Sequence, residues 1–209
     1  MIFHAELVNI SVQIFMLVAG ILIFRLLIDK NILEIGYLRK DRKPIGKYVL
    51  FFSLASVIGL ALSHTFVYFF DRASFLEVAN GRLLGFGEFI ESALMTGVLP
   101  GLAEETLYRG ALISLFLYGL WKTDRNLGNK KMVLLIMISA FIFTLAHMNI
   151  LFDPFQITYD IYQLITAMIM GSIEAYVFIK TRNLWGSILI HNIWNVLVLL
   201  AGQLIILFS

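Results

Sequence analysis

Two adjacent carboxylates and an arginine stand inside an apolar run long enough to cross a bilayer. The segment Gly97-Val98-Leu99-Pro100-Gly101-Leu102-Ala103-Glu104-Glu105-Thr106-Leu107-Tyr108-Arg109-Gly110 lies within a long segment from about Glu88 to Trp121. A charged side chain in hydrocarbon costs at least ~2.5 kcal/mol on insertion scales, so such residues are kept where they work or are paired. Past Pro100 the run predicts a helix. Glu105 and Arg109 are then four residues apart on one face, close enough for an ion pair. Glu104 is turned by ~100° from its neighbour. One carboxylate is therefore held by the arginine while the other is left for a different task. A straight helix over the whole segment would measure roughly 50 Å against a hydrocarbon core of ~30 Å. The segment is expected to be tilted, or broken near Pro100-Gly101. A break would set the two glutamates in the first turns of a half-helix, where the dipole favours negative charge.

The rest of the chain reads as membrane-embedded too. Hydrophobic residues make up 60% of it and charged residues 14%, with a mean hydropathy of +0.88; a soluble globule carries nearer ~25% charged residues. The apolar runs have helical length and are not ten-residue alternating strands. The expected fold is a single all-α membrane domain over residues 1–209, a polytopic transmembrane helix bundle of about six spans. Residues 1–87 supply two N-terminal helices and connectors, and 88–209 a four-helix catalytic core. The spans run at about Glu6 to Ile28, Tyr48 to Phe70, Glu88 to Trp121, Met132 to Met148, Ile157 to Ile179 and Trp185 to Leu207. The first is longer than a signal-peptide core and lacks a small-x-small cleavage site after it, so it is read as retained. Asp71 to Gly87 reads as a loop with a short surface helix, and Asn149 to Gln156 as a loop.

Three connectors are basic: Lys30, Arg39, Lys40, Arg42, Lys43 and Lys47; Lys122, Arg125, Lys130 and Lys131; Lys180 and Arg182. They fall on one side of the six spans. The positive-inside rule makes that side cytoplasmic and puts both termini outside, in a multi-pass protein of the cell membrane. The chain has no cysteine, which excludes disulfides, thiolate nucleophiles and Cys-based zinc sites. No basic helix with interleaved aromatics suggests a nucleic-acid partner.

Glu104, Glu105, His147 and His191 are the polar groups inside spans from which a general base or a metal site is built. Asn195 lies four residues after His191 on the same helical face. A carboxylate in a desolvated pocket is a strong base toward water, and His and Asn side chains donate to an oxyanion. A serine nucleophile has no support, since Ser139 is about two turns from His147. A lone intramembrane histidine more often bonds another helix than catalyses, and His4 and His64 are read that way. Phe143 and Trp194 read as packing or interface residues. Glu174, near Lys180, reads first as a snorkelling residue. His147 and His191 fall toward opposite ends of their spans, and meet only if the spans tilt or a boundary shifts by a turn.

Glu104-Glu105-Thr106-Leu107-Tyr108-Arg109 resembles the Glu-Glu-x-x-x-Arg block of the CAAX-protease and bacteriocin-processing (CPBP, or Abi) membrane endopeptidases. Phe143-Thr144-Leu145-Ala146-His147 resembles their Phe-x-x-x-His block, and His191-Asn192-Ile193-Trp194-Asn195 their His-x-x-x-Asn block. Order and spacing agree, over about residues 88 to 205. The resemblance implies that Glu104 activates water and His147 helps to hold it. It further implies that His191 and Asn195 stabilise the oxyanion or hold the water from behind, and that Arg109 locks Glu105. It implies no organic cofactor and leaves metal open. If a divalent ion such as zinc is used, Glu104, His147 and His191 are its ligands, although no His-Glu-x-x-His stretch is present. The implied partners are the lipid bilayer and a hydrophobic or membrane-anchored peptide, such as a bacteriocin or pheromone precursor or a prenylated tail. Two readings from other classes remain: a non-enzymatic immunity or regulatory protein, and a transporter. The latter usually shows interrupted segments in two matching halves.

Overall fold

The computed structural model describes residues 2–23, 25–26, 44–121, 127–152 and 154–209. Most of the first two basic connectors, from Lys30 to Lys43 and from Lys122 to Arg125, lies outside the described residues. The chain is almost wholly helical. Helix α1 spans Ile2–Ile23, α2 Gly46–Phe70 and α3 Arg72–Ala79. A central helix then runs without a break over residues 86–120. It is built from α4 (Phe86–Ser92), a π-helical stretch π1 (Ala93–Val98), α5 (Leu99–Glu105), π2 (Thr106–Ile113) and π3 (Leu115–Leu120). Helices α6 (Asn129–Leu145), α7 (Ile161–Thr181) and α8 (Leu184–Phe208) follow, with a hairpin of β1 (Asn149–Phe152) and β2 (Phe155–Thr158) between the first two. Among the described residues three helices, α2, α7 and α8, are long and apolar enough to cross a membrane, where the sequence suggested about six spans.

Contacts between the ends give the helix directions. Tyr162, in the first turn of α7, donates to Asp71 at the end of α2. The Leu84 N–H, just before the central helix, donates to Gln203 near the end of α8 at 2.7 Å. At the other end Gly186 of α8 packs between Val177 of α7 and Ile45, the residue before α2. Ile113, Leu117, Leu135, Phe178, Leu184 and Ile188 form one buried cluster at that end. Helices α2, α7 and α8 therefore alternate in direction, and the central helix runs toward the end where α8 starts.

The expected break at Pro100 does not occur. Proline has no N–H for the preceding turn, and the chain absorbs the defect in two ways. The π1 turn widens the ladder, so the Leu99 N–H reaches the Leu94 carbonyl five residues back. The Thr96 carbonyl, which an α-helical residue at 100 would have met, accepts instead from Asn195 Nδ2 at 3.1 Å. The Glu104–Glu105 pair consequently sits inside a continuous helix and not in the first turn of a half-helix. Two further expectations are corrected. The segment after Met148 is an antiparallel hairpin pairing Asn149 with Thr158 and Phe152 with Phe155, because its Ile, Leu and Phe residues flank a turn at Pro154. Helix α6 ends at Leu145, so His147 lies in the turn beyond it, where its N–H bonds the Thr144 carbonyl at 3.0 Å.

Gly97 and Gly101, one helical turn apart, let α8 come close to the central helix. A Cβ on Gly97 would stand 2.9 Å from Val196 Cγ2, and one on Gly101 would collide with the Asn192 side chain. Small residues four apart are a usual means of close helix approach in membranes. The Asn192 amide, with its NH2 turned toward them, donates to the Gly97 carbonyl at 3.1 Å and the Ile188 carbonyl at 3.3 Å. Gly101→Ala is expected to destabilise the fold by about 1–3 kcal/mol through overpacking. Gly202→Ala, in a helix where a Cβ meets nothing within 4 Å, is expected to be neutral or slightly stabilising. Thermal unfolding in detergent separates the two; equal midpoints would contradict the close approach.

Candidate active site

Arg109 is the hub. Its side chain is fully buried, with Nη1 2.9 Å from Glu105 Oε1 and Nη2 2.7 Å from Glu174 Oε2. The Glu105 contact is the i,i+4 pair read from the sequence. The Glu174 contact comes from α7. Glu174 does not snorkel toward Lys180: it is 1% exposed, and its backbone carbonyl accepts from Ser187 Oγ at 2.8 Å. Gly171, one turn earlier on α7, makes the room. A Cβ there would lie 3.0 Å from both Arg109 Nη2 and Phe143 Cδ1.

His191 enters from α8. Its Nδ1 is 3.0 Å from Glu105 Oε1 and 3.5 Å from Glu174 Oε1. An ionised carboxylate only accepts, so Nδ1 carries a proton and Nε2 points the other way. Nε2 faces Glu104 Oε2 across 3.8 Å. That is too long for a direct hydrogen bond and allows the two groups to share one water. Glu104 is the carboxylate of this group that Arg109 does not hold. Its side chain is 14% exposed, and its Oε1 accepts from Gln13 Nε2 of α1 at 3.4 Å.

Phe143 joins the remaining parts. The Arg109 guanidinium lies 4.2 Å from its ring centre, in cation–π contact. The rings of Tyr108, His147 and His191 meet it edge-on at 5.3, 4.7 and 5.9 Å. His147 is half-buried, and its Nδ1 bonds the Phe143 carbonyl at 2.9 Å. Of the residues singled out in the sequence, then, Glu104, Glu105, Arg109 and His191 come together directly. His147 meets them through the Phe143 ring. Asn195 is occupied on the Thr96 carbonyl.

One group of three possible metal ligands forms among the described residues, and it is Glu105, Glu174 and His191 rather than Glu104, His147 and His191. It does not fit a metal ion. Arg109 already sits on both carboxylates, and a divalent cation there would stand against that fixed positive charge.

The sequence takes Glu174 first for a snorkelling residue and does not single out Gln13. The signal for Glu174 was its charge in mid-span, which in hydrocarbon points to a site by default. Gln13 was a lone amide in an apolar run, and nothing local ties it to residue 104.

Fold and site together define a helical membrane protein with a buried carboxylate–arginine–histidine cluster and one carboxylate left outside the arginine's hold. The model of the type II CAAX prenyl endopeptidase Rce1-like family matches residues 87–197. The chain belongs to that family, a family of membrane-embedded endopeptidases, as its three motifs indicated. The match covers the central helix through the first half of α8, and leaves α1, α2 and α3 outside. No curated protein and no solved structure matches the chain.

Proposed function

We propose that the protein is an intramembrane endopeptidase that hydrolyses a peptide bond in a membrane-anchored peptide, with Glu104 as the base that activates water. The observation that carries this reading is the division of labour between the paired glutamates. Glu105 is locked on Arg109 and His191, while Glu104 Oε2 faces His191 Nε2 across 3.8 Å. A water bonded to Glu104 Oε2 beside His191 Nε2 can direct a proton to the carboxylate and turn a lone pair toward a substrate carbonyl.

The water oxygen bonds to the carbonyl carbon as its proton passes to Glu104. The carbonyl π pair moves onto oxygen. Collapse of the tetrahedral species breaks the C–N bond, and Glu104 returns the proton to the leaving amine. In this reading His147, whose Nδ1 donates to the Phe143 carbonyl, keeps Nε2 as an acceptor and helps to hold the water. Asn195 acts through the helix, by holding α8 against the Pro100 turn. The family description supports a prenylated C-terminal tail as the substrate; bacteriocin precursors are not named in it.

The test is cleavage of a farnesylated peptide ending in Cys-aliphatic-aliphatic-X by the full chain in liposomes. Cleavage is expected with and without a strong chelator, because Arg109 already occupies Glu105 and Glu174, the two carboxylates of the one three-ligand group among the described residues. Loss of cleavage on chelation, restored by zinc, would overturn the metal-free mechanism. Tight binding of the peptide without cleavage would overturn the enzymatic reading in favour of a binding protein.

A further inference from the structure

The first helix carries no family motif and lies outside the matched residues 87–197, yet it reaches the site. We propose that Gln13 is a positioning residue for Glu104 and, through its free carbonyl oxygen, a binding residue for the backbone N–H of the substrate. This rests on the hydrolase reading above.

Helix α1 is pressed against the central helix. A Cβ on Gly20 would stand 3.3 Å from the Leu107 Cα and 3.2 Å from Thr106 Cγ2. With the backbones that close, Gln13 is 9% exposed and has little freedom to move. Its Nε2 donates to Glu104 Oε1 at 3.4 Å. The two oxygens of Glu104 are thereby assigned, Oε1 to Gln13 and Oε2 to the space shared with His191 Nε2. A carboxylate tethered at one oxygen keeps the other aimed, which is the condition for efficient base catalysis at a fixed water.

The carbonyl end of the same amide is the second observation. Gln13 Oε1 is buried and has no hydrogen-bond partner among the described residues. A buried amide oxygen without a donor is costly, the more so away from water. Its partner must be a donor that arrives at the site. Beside a carboxylate placed to attack a peptide carbonyl, the donor at hand is the N–H of the next peptide unit of an extended substrate. Gln13 thus holds the base with one end and registers the substrate with the other.

The test uses the full chain in liposomes and two farnesylated probes. One is an ordinary peptide. In the other, the first backbone amide on the C-terminal side of the scissile bond is replaced by an ester, which removes that N–H. Gln13→Leu is similar in size and removes an unsatisfied polar atom, so its unfolding midpoint is expected to equal or exceed wild type. Its kcat/KM on the amide probe is expected to fall roughly 10- to 100-fold, the scale of a hydrogen bond to a charged group. The ester probe should be cleaved about tenfold more slowly than the amide probe by wild type and at nearly the same rate by Gln13→Leu, so that the two changes are coupled. Wild-type kcat/KM in Gln13→Leu, or the same amide-to-ester ratio in both proteins, would overturn the proposal while leaving the hydrolase reading intact. Failure of wild type to cleave either probe would overturn the hydrolase reading and this proposal with it.

Discussion

Arg109→Ala is expected to remove most of the folded protein from the membrane. Two carboxylates depend on that one guanidinium, Glu105 at 2.9 Å and Glu174 at 2.7 Å, and none of the three is measurably open to solvent beyond 2%. Breaking a buried pair by removing one partner costs about 3–5 kcal/mol, because the remaining charge stays buried without compensation. Here two carboxylates lose the same cation at once. The total stability of a domain is only about 5–15 kcal/mol, so the loss is of the order of the whole. The Phe143 ring loses its cationic neighbour as well.

Arg109→Lys keeps the charge but is a single point donor in place of a planar fork, and it cannot reach both carboxylates in the same geometry. An intermediate unfolding midpoint is expected for it. The triple change Arg109→Met, Glu105→Gln, Glu174→Gln removes all three charges and is expected to recover much of the stability and none of the activity. Membrane abundance and thermal unfolding in detergent report the series. A normal midpoint for Arg109→Ala would contradict the buried double pair.

Glu104→Gln is expected to do the opposite: leave the fold intact and abolish turnover. Glu104 is bound by Gln13 at one oxygen, stands 3.8 Å from His191 Nε2 at the other and is partly open, so the isosteric amide leaves both Arg109 ion pairs untouched. General-base catalysis contributes about 10²–10⁴-fold, and kcat on a farnesylated peptide should fall by that factor with KM little changed. Glu105→Gln, one residue away, should instead lower the unfolding midpoint, because it releases both Arg109 and His191 Nδ1. Adjacent residues of the same type would then fail in different ways, one in rate and one in stability. Cleavage by Glu104→Gln near the wild-type rate would sink the proposed role. A midpoint lowered as far as that of Glu105→Gln would show that Glu104 is structural.

The chain's local geometry was legible without coordinates. The Glu105–Arg109 pair follows from 3.6 residues per turn, and so does the separation of Glu104 from it. The membrane setting follows from composition, and the family from three short motifs whose spacing survives in any fold that contains them. What the tertiary structure decided were partners far apart in sequence. Glu174 reaches Arg109 from 65 positions away, Gln13 reaches Glu104 from 91, and Asn195 reaches Thr96 from 99. Helical periodicity says which residues share a face of one helix and nothing about which face of another helix it meets. That depends on crossing angle and rotation, which small residues such as Gly20, Gly101 and Gly171 set by admitting a neighbouring backbone or side chain. The continuity at Pro100 belongs to the same class. Proline withdraws one backbone donor as a local fact, but the compensating donor sits on α8, so whether the helix broke was decided only when α8 packed against it.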